Sequence, residues 1–132
     1  MRVLLADDSD LILERLQQTL SPDRRVEIVG TFKNGNETLA ALRVLKPDLA
    51  IVDIKMPGLS GLEVLHQIRK EDSSLKFIIL TFYSSDNYRN LAFRYGADYF
   101  FSKVDDFEKI SLAVKELLDK PSTLPINRDS IK

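Results

Sequence analysis

The sequence predicts an α/β fold: a doubly wound (βα)5 arrangement in which a five-stranded parallel sheet carries helices on both faces. Three observations point there. Five short apolar runs recur along the chain, "RVLLA", "VEIVG", "DLAIV", "KFIIL" and "DYFFS". They are mostly continuous rather than alternating, which suits strands covered on both faces. The segments between them repeat apolar residues at helical spacing, as the right-handed crossovers of a parallel sheet require.

The first run, residues 2–6, stops at Asp7 and Asp8, and a helix follows with Ile12, Leu16 and Leu20 on one stripe. After the second run, residues 26–30, the stripe is Leu39, Leu42 and Leu45. The third run, residues 48–52, precedes Leu62, Leu65 and Ile68. The fourth, residues 76–80, precedes Tyr88, Leu91, Ala92 and Tyr95. The fifth, residues 98–102, leads to Phe107, Ile110, Val114 and Leu117. Asn34 with Glu37, Ser60 with Glu63, and Asp105 with Glu108 read as capping boxes or close variants at helix starts. Residues 1–120 then make one domain. From Pro121, "PSTLPINRDSIK" has two prolines and no periodicity, so residues 121–132 read as a tail or linker stub.

Composition narrows the function. A chain of 132 residues suits a single domain that buries roughly two-thirds of its unfolded surface. The absence of cysteine excludes disulfides, thiolate metal sites and cysteine nucleophiles. With a formal charge of −1 and both signs interspersed, there is no electrostatic ground for nucleic-acid or membrane binding. No apolar run approaches the ~20 residues that span a bilayer. Asp7 and Asp8 come too early for a signal peptide, so a cytoplasmic protein is expected.

In open α/β sheets, ligands bind beyond the carboxyl ends of the strands. Asp7 and Asp8 follow the first strand, Asp53 the third, Thr81 ends the fourth, and Lys103 follows the fifth. Each alone has an ordinary explanation. Asp8 or Ser9 would cap the first helix, Asp53 and Thr81 would cap loops, and Lys103 would be a solvated lysine. Capping does not explain why an acid pair, a single acid, a hydroxyl and an ammonium should share one sheet edge. Clustered carboxylates suit Mg²⁺, which takes oxygen ligands. A carboxylate is also a nucleophile toward phosphorus, and phosphoryl transfer needs mainly positioning and charge neutralisation. Asp10 stands apart in the first turn of a helix, where negative charge suits the dipole.

Four stretches, "LLADDS", "IVDIKMPGLSG", "IILTFYS" and "GADYFFSK", together resemble the receiver domain of two-component response regulators over residues 1–119. The resemblance implies flavodoxin-like topology with strand order 2-1-3-4-5. It implies that Asp53 receives a phosphoryl group from a sensor histidine kinase or phosphotransfer protein. Asp8, Asp53 and the Lys55 carbonyl would ligate Mg²⁺, with Asp7 contacting it largely through water. Thr81 and Lys103 would bind phosphoryl oxygens, and Phe100 would occupy an aromatic switch position. The face formed by the fourth helix, fifth strand and fifth helix would then meet a protein target, a C-terminal effector domain absent from this chain, or a second copy in a homodimer. No enzyme activity is implied beyond self-catalysed phosphorylation of Asp53 and its autodephosphorylation.

Two positions depart from the pattern. The family's lysine is very often followed by a cis proline, whereas Lys103 precedes Val104. A cis bond there would cost about 2.5–4 kcal/mol, so a trans or strained backbone is expected. Thr81 is followed by Phe82 and Tyr83, where a small residue is usual. These rings are expected to hinder water and small phosphodonors. Phe100 replaces the commoner tyrosine and keeps the ring. His66 reads as a surface residue, and Phe93, Tyr95, Tyr99 and Phe101 as core or half-buried packing. Rival readings lack required residues. A dehalogenase-type phosphatase needs an acid at Lys55, and a mononucleotide-binding flavodoxin relative needs a Ser/Thr/Gly loop at Asp7. The alternative kept is a phosphorylation-independent pseudo-receiver, an interaction module of a kind that usually loses the acid pair, the phosphoacceptor or the lysine, whereas Asp7, Asp8, Asp53 and Lys103 are all present.

Overall fold

A computed structural model describes residues 1–120; the expected tail, residues 121–132, lies outside the described residues. Strands and helices alternate: β1 (Arg2–Ala6), α1 (Asp10–Leu20), β2 (Glu27–Phe32), α2 (Gly35–Leu45), β3 (Leu49–Val52), α3 (Gly61–Arg69), β4 (Lys76–Thr81), α4 (Asp86–Arg94), β5 (Tyr99–Ser102) and α5 (Lys109–Asp119). The strands form one parallel sheet in the order β2-β1-β3-β4-β5. This is the expected flavodoxin-like topology.

The continuous apolar runs follow from burial on two sides. Leu4, Ala50, Val52, Phe77, Ile79 and Phe100 face α2, α3 and α4, packing with Leu39, Leu65 and Ala92. Their strand neighbours Val3, Leu5, Ile51, Ile78 and Leu80 face the other way, onto Leu16 of α1 and Ile110 of α5. At about 1.5–3 kcal/mol for each fully buried aliphatic or aromatic side chain, these two layers dominate the stability. Strand β2 is an edge, largely half-exposed, and obeys different rules. It continues to Phe32, past the apolar run, because Leu5 and Ala6 of β1 still offer partners to Thr31 and Phe32. Between Val3 and Leu4 its register slips from Ile28 to Gly30, leaving Val29 as an extra residue.

Local signals set most helix starts. The Ser9 hydroxyl accepts from the Ile12 N–H, and the Asn34 side chain from the Glu37 N–H. Ser60 and Glu63 form a reciprocal capping box, and the Ser85 hydroxyl accepts from the Tyr88 N–H. The expected box of Asp105 with Glu108 does not form. Helix α5 begins at Lys109, Glu108 makes no side-chain cap bond, and residues 103–108 are turns instead. Phe107 is buried, but in those turns rather than on the helix.

The helical stripes are also only partly as expected. Leu13 joins Leu16 and Leu20 as the buried face of α1, while Ile12 is half-buried. Helix α4 rests lightly on the sheet and fully buries only Ala92. Consequently Phe93 is 45% exposed, not packing as expected. His66 is exposed, as expected, and its ring stacks on Tyr95 at 4.2 Å. Tyr99 is half-buried, and burial together with the Glu116 carboxylate pushes its phenol up to about 12. Among the described residues, no helix is long and apolar enough to cross a membrane.

Candidate functional site

Strand pairing brings the polar residues together. Ala6 pairs with Val52 in the β1–β3 ladder, so the next residues, Asp7 and Asp53, emerge side by side. The Asp53 N–H donates to the Ala6 carbonyl at 3.0 Å and the Asp7 N–H to the Phe32 carbonyl at 2.9 Å. Thr81 pairs with Ser102 in the β4–β5 ladder, and the Lys103 N–H donates to the Thr81 carbonyl at 2.9 Å. All five residues expected at this edge are there.

Four of them are nearly inaccessible: Asp7 is 1%, Asp53 5%, Thr81 0% and Lys103 6% exposed. Buried charges must be paired to persist. Lys103 Nζ meets Asp7 Oδ2 at 2.6 Å and Asp53 Oδ2 at 2.9 Å. The other carboxylate oxygens bind backbone, Asp53 Oδ1 accepting from the Ile54 N–H at 2.7 Å and Asp7 Oδ1 from the Ser9 N–H at 2.9 Å. Lys103 is therefore no ordinary surface lysine.

Burial pushes the Asp7 carboxyl above its ordinary value, an effect that hydrogen bonds from Lys103 and Ser9 only partly offset; the Asp53 charge pushes the same way. For Lys103, burial alone would favour the neutral amine. Its bonds to Asp7 and Asp53 outweigh that and raise its pKa, so the ammonium stays charged. Two carboxylates against one ammonium leave excess negative charge, and Asp8 adds another.

One oxygen from each of Asp7, Asp8 and Asp53 lies within 4.8 Å of the others. Three hard oxygen donors with net negative charge fit Mg²⁺. The following loop is pinned to α2: the Gly35 N–H donates to the Pro57 carbonyl at 3.0 Å, and Asn36 Oδ1 accepts from the Leu59 N–H at 3.1 Å. Gly58 between them adopts φ +76°, where a side chain would be strained and would also strike Asn36.

Aromatic residues border the acids. The Phe82 ring centre lies 4.9 Å from Lys103 Nζ, within cation–π range. Lys55 reaches across to Tyr83, whose ring centre is 5.1 Å from its Nζ. Thr81 Oγ1 accepts from the Tyr83 N–H at 3.1 Å, leaving the hydroxyl proton free for another partner. Phe100 is buried in the α4-side core, and the Arg89 guanidinium lies 4.9 Å over its ring. The bond between Lys103 and Val104 is trans, and neither residue has a positive φ; the alternative of a strained backbone is not realised.

This acid cluster at the carboxyl edge of a 2-1-3-4-5 parallel sheet defines a class. The family model for the response regulator receiver domain matches residues 3–115, and the chain belongs to that family, the receivers of two-component signalling. Response regulator GacA of Pseudomonas aeruginosa is 27% identical over 117 residues, 89% of this chain and 55% of that protein. Protein-glutamate methylesterase/protein-glutamine glutaminase 1 of Methanospirillum hungatei is 37% identical over 122 residues, 91% of this chain and 36% of that protein. Among solved structures, the response regulator domain of Thermotoga maritima CheB superposes with a TM-score of 0.78 at 28% identity, covering 89% of this chain and 92% of that one. The chain thus spans only about half the length of GacA and less of the methylesterase.

Proposed function

We propose that Asp53 takes a phosphoryl group from the phosphohistidine of a sensor histidine kinase or phosphotransfer protein. The observation that carries this reading is the buried Asp53 carboxylate, bonded to Lys103 at 2.9 Å and clustered with Asp7 and Asp8. An Asp53 oxygen forms the bond to phosphorus as the phosphorus–nitrogen bond breaks, and its electron pair leaves with the imidazole. Asp8, Asp53 and the Lys55 carbonyl would hold Mg²⁺, with Asp7 contacting it largely through water; a bound ion there would supply charge neutralisation for the phosphoryl oxygens. Lys103 exchanges a carboxylate partner for a phosphoryl oxygen, and the Thr81 hydroxyl donates to another.

The added charge at a buried site biases the packing around it. Thr81 and Phe100 lie on adjacent strands, and Arg89 of α4 covers the Phe100 ring. The α4–β5–α5 face is therefore the output surface, offered to a protein target, an effector domain or a second copy in a homodimer. In this reading the domain turns over no exogenous substrate and works beside its kinase in the cytoplasm.

Intact mass after incubation with Mg²⁺ and phosphoramidate tests the assignment. The wild type is expected to gain one phosphoryl group, and Asp53→Asn none. An adduct that persists in Asp53→Asn removes the assignment. Phe82 sets a second expectation. Its ring beside Lys103 limits access of water, so Phe82→Ala should speed loss of the phosphate on the order of tenfold, equivalent to about 1.4 kcal/mol of barrier. Equal decay rates for wild type and variant would end the shielding idea.

A further inference from the structure

Lys103 performs its task from a loop, residues 103–108, that has neither a proline nor a helix to stiffen it. An ammonium that must reach two buried carboxylates needs its backbone fixed. Two side chains do this. Asp106 Oδ2 accepts from the Ser102 N–H at 2.9 Å, and Ser102 Oγ accepts from the N–H groups of Val104 at 3.1 Å and Asp105 at 3.3 Å. The Asp106 N–H closes the turn on the Ser102 carbonyl at 2.9 Å. Lys109 holds the other Asp106 oxygen at 2.9 Å.

An acid just before a helix ordinarily caps that helix. The Asp106 carboxylate instead bonds back to the end of β5, while α5 starts with no side-chain cap. Bonds from the Ser102 N–H and from Lys109 hold the Asp106 carboxyl below its usual range, so it stays an ionised acceptor. Ser102 is 5% exposed, where its hydroxyl could not easily be replaced by water.

We propose that Asp106 and Ser102 are positioning residues for Lys103, holding the turn in the one shape that aims the ammonium at Asp53. The proposal rests on Asp53 being the phosphoacceptor. It predicts a split between two measurements. On that reading Lys103 would meet the phosphoryl group, whereas Mg²⁺ would be held mainly by acids that follow β1 and β3. A misplaced Lys103 should therefore slow phosphorylation and leave Mg²⁺ affinity unchanged or tightened, since Lys103 competes for the same carboxylates.

The test compares Asp106→Ala, Asp106→Asn and Ser102→Ala with wild type, using phosphoramidate labelling followed by intact mass and Mg²⁺ affinity by titration calorimetry. Asp106→Ala and Ser102→Ala are expected to label about 10–100-fold more slowly, the usual effect of losing an orienting partner. Asp106→Asn keeps an acceptor oxygen and should label near the wild-type rate. Asp106→Ala labelling as fast as wild type overturns the inference while leaving Asp53 as the acceptor. Labelling rate and Mg²⁺ affinity falling together also overturns it, because general loosening would then suffice. A wild type that takes no label from phosphoramidate or from a phosphorylated histidine phosphotransfer protein overturns the reading of Asp53 and this inference with it.

Discussion

Replacing Lys103 with methionine is expected to cost about 3–5 kcal/mol of stability at neutral pH, the effect of removing one partner from a buried ion pair. Methionine keeps most of the volume and none of the charge. Asp7 and Asp53 would then face each other across a site where both are nearly inaccessible, without the ammonium that now bonds both. The pH dependence has a definite sign. Burial already raises the Asp7 carboxyl, so the folded protein binds that proton more tightly than the unfolded chain does. Such a group lowers stability as pH rises through its raised value. Loss of Lys103 removes the principal opposing influence and drives the value higher. The deficit should therefore be largest at neutral pH and shrink as pH falls toward the ordinary carboxylate value of 3.8. Added Mg²⁺ should return more stability to the variant than it adds to wild type, because on the proposed reading it would bind the same acids without competition. Urea unfolding across pH, with and without Mg²⁺, measures all three. A deficit independent of pH would show that the carboxylates are not the cause.

Asp7, Asp8, Asp53, Thr81 and Lys103 were legible in the sequence because each follows or ends an apolar run, and strand ends in a parallel sheet share an edge. Their mutual bonding was not legible. The resemblance implies a phosphoryl oxygen for Lys103 and a water-mediated metal contact for Asp7, and the structure also bonds the two to each other at 2.6 Å. A buried charge takes an opposite charge within reach, and strand pattern does not encode which one.

The elements divide in the same way. Strands β1, β3 and β4 match their apolar runs to within a residue, because burial on both faces dictates those residues; β5 matches as closely, although it is an edge with only Phe100 and Ser102 fully buried. Edge strand β2 has less burial to dictate its sequence, so its end at Phe32 came from pairing with Ala6. Asp105 and Glu108 carry the spacing of a capping box and form none. Their segment is shaped instead by Ser102 and Asp106, a contact spanning the end of a strand and a turn, for which helix-start patterns offer no guide.

Gly61→Ala should damage the fold and the proposed phosphoacceptor together. Gly61 opens α3, and its N–H donates to the Ile54 carbonyl at 2.8 Å. A β-carbon there would lie 2.0 Å from the Asp53 carbonyl oxygen and 2.8 Å from its carbon. Backbone cannot swing aside as a side-chain tip can, so either the end of β3 or the start of α3 must move. Overpacking of this kind costs about 1–3 kcal/mol and sometimes more, and the displaced residue is Asp53 itself. Denaturant unfolding should show a loss near 3 kcal/mol, at the upper end of that ordinary range, and phosphoramidate labelling should slow even under conditions where the variant remains folded. Gly30→Ala is the matched control. Its β-carbon would meet chiefly the Phe32 ring, at 2.7 Å, on the half-exposed edge strand β2, where the ring can turn away. It should lose less than about 1 kcal/mol, within the range of ordinary surface changes, and label at the wild-type rate. If the two variants lose equal stability, close approach to the Asp53 backbone is not what requires glycine at position 61.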